Sequence, residues 1–146
     1  MGYLPIIAVV AGGAIAVQAG MNAQLGALLR NPLLAACIAF AGSVFFTLLA
    51  LAAYRHEFPS GDMVRSVPPH LWLTGLLSAF GITMFYYLIP KMGVGPMMSF
   101  ALSGQLVVAM IAGHFGWFDL PVRPFTATKL LGLVALTIGI VLANRE

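Results

Sequence analysis

Apolar residues fill this chain in five long blocks, and the charged residues lie between the blocks or near their ends. Each block can supply the roughly 20 residues that a helix needs to cross a hydrocarbon core about 30 Å thick. The blocks lack the alternating polarity of membrane β-strands. Because backbone N–H and C=O groups cannot stay unpaired in lipid, each block is predicted to be a helix. The predicted helices are Tyr3–Leu29, Leu33–Tyr54, Leu71–Pro90, Val94–Phe115 and Ala127–Ala143.

Composition supports the same fold class. Of 146 residues, 61% are hydrophobic and 8% are charged, and the mean hydropathy is +1.00. We therefore expect an all-α integral membrane protein in which residues 1–146 form a single domain of five transmembrane helices. The segment before the first block carries no Lys or Arg, so this block is predicted to be a retained helix and not a signal peptide. The sequence has no basic stripe, so we expect no nucleic-acid partner.

The connections between blocks carry recognisable turn and cap residues. Asn31 and Pro32 are typical of an N-cap followed by the first helical position, which makes the first two helices antiparallel neighbours. Residues 91–95 are predicted to form a tight turn bounded by Pro90 and Pro96. Thr126 is a predicted N-cap for the last helix.

The basic residues give only a weak orientation signal. One face of the membrane would carry four of them and the other face three, whereas a fixed orientation usually shows a larger bias. The count allows dual topology with an antiparallel dimer, a single orientation fixed by local effects, or a separate partner chain that supplies the inverted copy. The four residues are Arg55, Arg65, Arg123 and Lys129, and the three are Arg30, Lys91 and Arg145.

An odd number of spans favours the antiparallel arrangement. Many transporters are built from two inverted repeats around a site near the membrane midplane. A five-helix unit duplicated head to tail comes out inverted. The sequence therefore predicts one half of an inverted-repeat transporter fold.

Polar residues inside the blocks are the candidate solute contacts. Gln18 and Asn22 share a face of the first helix at i, i+4 and either line a cavity or join helices. In the fourth block, Ser103 is a weaker candidate than Gln105, because a hydroxyl can bond to its own backbone. Tyr86 is either an interfacial residue or part of a cavity wall. Gly12, Ala16 and Gly20 form a small-residue stripe, which is more typical of helix packing than of function.

Several chemistries find no support in the sequence. No cluster of His, Cys, Asp and Glu has metal-site spacing, and no nucleophile–base pair or nucleotide fingerprint occurs. We expect no enzyme activity, metal or cofactor. No charged residue lies deep in any predicted helix, so a neutral, zwitterionic or weakly charged solute is easier to accommodate than a fixed cation.

Short motifs spread along the chain resemble one family. The run from Gln18 to Gly26 resembles the "Q-x3-N-x2-L-G" signature of the YdcZ-like bacterial inner-membrane proteins, and Gly104-Gln105 with His114-Phe-Gly116 resembles their "GQ…DHFG" region. Position 113 is Gly here, so the acidic residue of that box is missing. Asn31-Pro32 and a glycine-containing last helix complete the resemblance.

The resemblance implies a member of the drug/metabolite transporter superfamily, distantly related to small multidrug resistance proteins. It implies a bacterial inner-membrane protein of paired five-helix halves, with Gly132 and Gly139 as a candidate dimer interface. The membrane glutamate of the small multidrug resistance proteins is absent, so their proton antiport does not carry over. We expect a homodimer, or a dimer with a homologous five-helix chain, that moves a small solute through a cavity lined by Gln18, Asn22 and Gln105. A dual-topology channel is the alternative.

Overall fold

The computed structural model describes residues 2–54, 58–119 and 121–145, and within these ranges the chain is helical, with no strand. Short 3-10 segments lie at Pro69–Leu73 and Trp117–Asp119. The all-α fold class is confirmed. The α-helices are α1 (Leu4–Leu28), α2 (Pro32–Ala53), α3 (Gly61–Arg65), α4 (Thr74–Met92), α5 (Val94–Phe115) and α6 (Ala127–Ala143).

Among the described residues, four helical stretches are long and apolar enough to cross a membrane: α1, α2, α4 together with the preceding 3-10 segment, and α5. The fifth predicted helix exists as α6, at the predicted boundaries, but it has only 17 residues. At 1.5 Å per residue it is about 25 Å long, close to the lower limit for a span. The count of five membrane spans is therefore not confirmed.

One connection carries a further helix, and one local expectation needs correction. The long loop after α2 contains a short helix, α3, which begins where the Ser60 side chain accepts a hydrogen bond from the Met63 N–H at 3.3 Å. The predicted turn at residues 91–95 is shorter than expected, because α4 continues through Pro90 to Met92. Pro90 cannot donate to the Tyr86 carbonyl oxygen, and only two helical residues follow it. Gly93, with φ of 88°, then ends the helix.

The predicted helix caps are confirmed. The Asn31 side chain accepts a hydrogen bond from the Leu34 N–H at 3.1 Å, and Pro32 opens α2. Thr126 accepts from the Lys129 N–H at 3.3 Å at the start of α6. Arg55, which enters the charge count, lies outside the described residues.

The chain divides into two compact units, residues 1–91 and residues 92–146. In the first unit α1 and α2 form a close hairpin. A Cβ atom added at Gly26 would lie 3.2 Å from the Pro32 Cα and 3.4 Å from the Ala35 Cβ. The buried small residues of α1 are Ala19, Ala23 and Gly26. Nearer the start of α1 the predicted stripe is open, since an added Cβ at Gly12 would meet nothing within 4 Å.

In the second unit, the segment before α6 folds back onto the end of α5. The Arg123 N–H donates to the Gly113 carbonyl oxygen at 2.7 Å. The Phe125 N–H donates to Nδ1 of His114 at 3.2 Å, and the rings of Phe125 and His114 have centroids 4.9 Å apart. His114 therefore holds this connection in place.

Candidate functional site

A polar side-chain contact in the first unit joins the exposed Gln18 of α1 to the buried Tyr86 of α4. Nε2 of Gln18 donates a hydrogen bond to the Tyr86 hydroxyl at 3.2 Å. Tyr86 is 1% exposed, and its burial differs from what an interfacial tyrosine would show. A buried tyrosine hydroxyl normally finds a partner, and the Gln18 amide supplies it. Two candidate residues that are 68 positions apart in sequence are thus in direct contact.

Asn22 belongs to the same cluster. Its Nδ2 donates to the Gln18 carbonyl oxygen at 3.0 Å, one turn back along α1. Its side chain also interacts with the Tyr86 hydroxyl. Gln18, Asn22 and Tyr86 therefore form one polar cluster, which we call the amide–phenol cluster. An amide can donate and accept at the same time, so each member can exchange its present partner for a polar group of a ligand.

A cavity of about 200 Å³ lies next to this cluster and shares Tyr86 with it. The adjacent Tyr87 also lines the cavity, and the Lys91 ammonium lies 3.6 Å from the centroid of the Tyr87 ring. This is the geometry of a cation–π contact. The wall consists of Gly26, Ala27, Arg30, Pro32, Tyr86, Tyr87 and Pro90.

Two residues of this region were missed by sequence reasoning. Arg30 lines the cavity, although its place in a short connection predicts only a charge at the membrane surface. Thr83 buries its Oγ1 atom with no hydrogen-bond partner in the described ranges. The spacing of Thr83 and Tyr86 at i, i+3 on one helix was the available signal.

The candidates of the second unit have different surroundings. Ser103 donates to the Ser99 carbonyl oxygen at 3.2 Å, and Ser99 donates to the Gly95 carbonyl oxygen at 2.9 Å, so both hydroxyls bond within α5. Gln105 is exposed, and its side chain makes no hydrogen bond to another described residue. An exposed amide on an apolar helix gains from a partner outside the unit, such as a solute or a second chain.

The two glycines proposed for a dimer interface lie on α6. Gly132 and Gly139 are exposed, and a Cβ added to either would meet nothing within 4 Å. The surface is therefore open to the approach of another helix. Whether a second copy packs there stays a prediction.

These features define the class of protein. Long apolar helices that are joined by a cluster of amide and phenol groups are typical of a polytopic membrane protein with a polar solute or helix contact inside the bilayer. Among residues 2–54, 58–119 and 121–145, no group of three or more His, Cys, Asp and Glu could hold a metal ion.

The family follows from comparison with known proteins. A family model described as "Putative inner membrane exporter, YdcZ" matches residues 3–142. The chain therefore belongs to the YdcZ family of the drug/metabolite transporter type and is a multi-pass protein of the inner membrane. The predicted family and localisation are confirmed. Neither a curated protein nor a solved structure is similar enough to count as a match.

Proposed function

We propose that this chain is one half of an exporter that acts as an antiparallel homodimer and exposes one solute site to each side of the membrane in turn. Membership of an exporter family supports the transport of a solute. The nearly equal numbers of basic residues on the two predicted faces support insertion in both orientations. The proposed dimer would place two inverted copies around one site, as inverted repeats do in larger transporters.

The amide–phenol cluster is the proposed solute site. The observation that carries this assignment is the 3.2 Å hydrogen bond from Gln18 to Tyr86 between two apolar helices. If a solute forms hydrogen bonds with Gln18 and Tyr86 in place of the bond between them, neither polar group is left unpaired when the cluster opens. If it opens without a solute, two polar groups are left unpaired at a cost of about 1–3 kcal/mol each. The solute thus lowers the barrier to rearrangement. Ser103 and Gln105 of the second unit are proposed as further solute contacts.

Counterflow in proteoliposomes tests this proposal. The purified protein is reconstituted, and exchange of radiolabelled benzoate, leucine and tetraphenylphosphonium is measured against the same unlabelled compound inside. We expect saturable exchange of benzoate or leucine, and weaker exchange of tetraphenylphosphonium because no carboxylate lies deep in the helices. Asn22→Ala should reduce the exchange rate about tenfold or more while the dimer stays intact on cross-linking.

Ser43→Ala is the matched control, since Ser43 is an exposed polar residue of α2 that bonds to the Ala39 carbonyl oxygen of its own helix at 2.9 Å. It should exchange the probes at the wild-type rate. Wild-type exchange by Asn22→Ala would remove the site assignment. Flux that does not saturate and shows unitary currents would replace the carrier by a channel.

A further inference from the structure

Two cationic side chains border the cavity beside Tyr86, and the exchange of hydrogen bonds proposed above uses neither. Arg30 lines the cavity directly. Lys91 lies at its edge, because its ammonium is 3.6 Å from the centroid of Tyr87, whose ring forms part of the wall. Tyr86 and Tyr87 add hydroxyl groups to an otherwise apolar wall, and the exposed Arg30 side chain is available to a ligand that enters the cavity.

Arg30 occupies an unusual backbone conformation. Its φ of 51° is in the left-handed region, which glycine adopts far more easily than other residues. The end of α1 has the hydrogen bonds of a Schellman motif: the Asn31 N–H donates to the Gly26 carbonyl oxygen at 2.9 Å, and the Arg30 N–H to the Ala27 carbonyl oxygen at 3.1 Å. Glycine is the usual residue at this position of the motif. An arginine here is unfavourable for the backbone, which points to a role for its side chain.

We propose that this cavity, which we call the Arg30 cavity, binds the anionic group of the transported solute between Arg30 and Lys91. The anionic group is a carboxylate or a phosphate, and the transport of the solute rests on the proposed function. A guanidinium presents paired N–H donors that match either anion. The Tyr87 ring restricts the Lys91 ammonium, so less side-chain freedom is lost on binding. Tyr86 connects the anion to the amide–phenol cluster, which would receive an uncharged polar part of the same molecule.

The dimensions favour a compact ligand. A volume of about 200 Å³ is below the roughly 300–1,000 Å³ of pockets for drug-sized molecules. An anionic group with a small ring or short chain fits this volume, and the Tyr87 and Pro90 surfaces suit an apolar portion. A lipid phosphate offers the same anionic chemistry, so the two sources must be separated by experiment.

Binding of benzoate to the full chain in phosphatidylcholine nanodiscs tests the proposal. Isothermal titration calorimetry compares benzoate with benzamide, which has nearly the same shape but no charge. We expect wild-type protein to bind benzoate and to bind benzamide at least about tenfold more weakly. Arg30→Gln and Lys91→Gln should each lower benzoate affinity about tenfold.

Two further variants protect the test from effects on folding and insertion. Arg30→Gly should lose benzoate binding while the melting temperature stays equal or rises, because glycine suits the left-handed backbone. Arg145→Gln removes one positive charge from the same predicted membrane face as Arg30 and should keep wild-type affinity. Equal benzoate affinity in wild type and Arg30→Gly, or equal binding of benzamide, would overturn the proposal.

The lipid arm uses nanodiscs that contain phosphatidylglycerol. If the site takes a solute, benzoate should still bind, with affinity reduced at most by competition. Retention of phosphatidylglycerol by wild type but not by Arg30→Gln, without displacement by benzoate, would assign the site to a lipid headgroup and overturn the solute proposal. These assays measure binding alone, so they can fail independently of transport. If counterflow is intact but benzoate does not bind, the Arg30 cavity is rejected as the anion site and the exporter remains. If benzoate binds but no counterflow occurs, the exporter is rejected and the anion site remains.

Discussion

Tyr86 is the largest side chain that is fully buried in the described part of the chain, and its hydroxyl interacts with the Gln18 and Asn22 amides of α1. In a membrane the hydrocarbon offers no replacement partner, although measured hydrogen bonds between membrane helices average only about 0.6 kcal/mol. The contact therefore stabilises the first unit modestly. It leaves the pair able to open when a ligand competes for it.

Tyr86→Phe should lower the free energy of unfolding by about 0.5–1.5 kcal/mol, because it leaves the Gln18 amide without its acceptor while the ring still fills its space. Unfolding of the purified protein by sodium dodecyl sulfate in mixed micelles measures this. Tyr87→Phe makes the same chemical change at the next position, where the side chain is exposed, and should change stability by less than about 0.5 kcal/mol. Equal effects of the two variants would contradict the structural role of the hydrogen bond.

At the scale of single residues, the sequence predicts which residues are candidates for the site better than it predicts which of them contact one another. Gln18 and Asn22 stand out because amides are rare and costly in apolar helices. Tyr86 and Tyr87 look equivalent in the sequence, but they differ by about 100° around the helix, and only packing decides which of them is buried. Arg30 was missed because its position beside a cavity depends on how α4 lies against the α1–α2 hairpin.

The α1–α2 hairpin brings two helix backbones close together at Gly26. Gly26 leaves room for Pro32, and the capped start of α2 follows the Schellman end of α1 with only a few connecting residues. The N-cap and the short connection were predictable from Asn31 and Pro32, since both act locally. The face of α1 that contacts α2 was not predictable, because small residues occur on several sides of α1 and the sequence does not say against which side α2 packs.

Gly26→Ala should destabilise the protein by about 1–3 kcal/mol, since the new Cβ would lie 3.2 Å from the Pro32 backbone, which cannot move without shifting α2. Gly12→Ala is the matched control in the same helix, because its Cβ meets nothing within 4 Å. It should be neutral or slightly stabilising through helix propensity. The same detergent unfolding assay compares them, and equal stability of Gly26→Ala and wild type would show that the hairpin tolerates a wider spacing.

At the scale of the whole molecule, the sequence establishes an all-helical membrane protein and its family, but not its number of crossings. Continuous hydrophobicity is sufficient for α1, α2, α4 and α5, because their lengths exceed what a bilayer needs. For α6 the length lies at the limit. Orientation is also undecided by sequence, because the charge difference between the two predicted faces is only one residue.

Labelling of single cysteines at the two ends tests the antiparallel arrangement. In a Cys37→Ala background, Gly2→Cys and Asn144→Cys variants are treated in intact cells with a membrane-impermeant maleimide. We expect each end to be labelled in part of the population, because both orientations coexist. Partial labelling should change to nearly all or none when Ser66→Lys and Arg145→Gln are added, since the basic residues then count five against two.

Suppose that the protein without the two charge changes is labelled at only one end. This result would exclude the antiparallel homodimer and leave a heterodimer as the paired form. If both ends are labelled equally even with the added charges, the charge count does not determine orientation. Membrane lysis before labelling gives the maximum signal for each variant and excludes a buried thiol as the cause of low labelling.

The short length of α6 has a consequence for the surrounding lipid. If α6 crosses the membrane, its length of about 25 Å is less than a hydrocarbon core of about 30 Å, so the bilayer would thin around it or flanking residues would extend outward. Lys129 already extends away from the helix, with its ammonium 2.9 Å from the Pro124 carbonyl oxygen. Two such helices side by side would share one thinned annulus instead of producing two. Hydrophobic mismatch would then favour pairing along α6, with the elastic cost of the membrane itself contributing to the assembly.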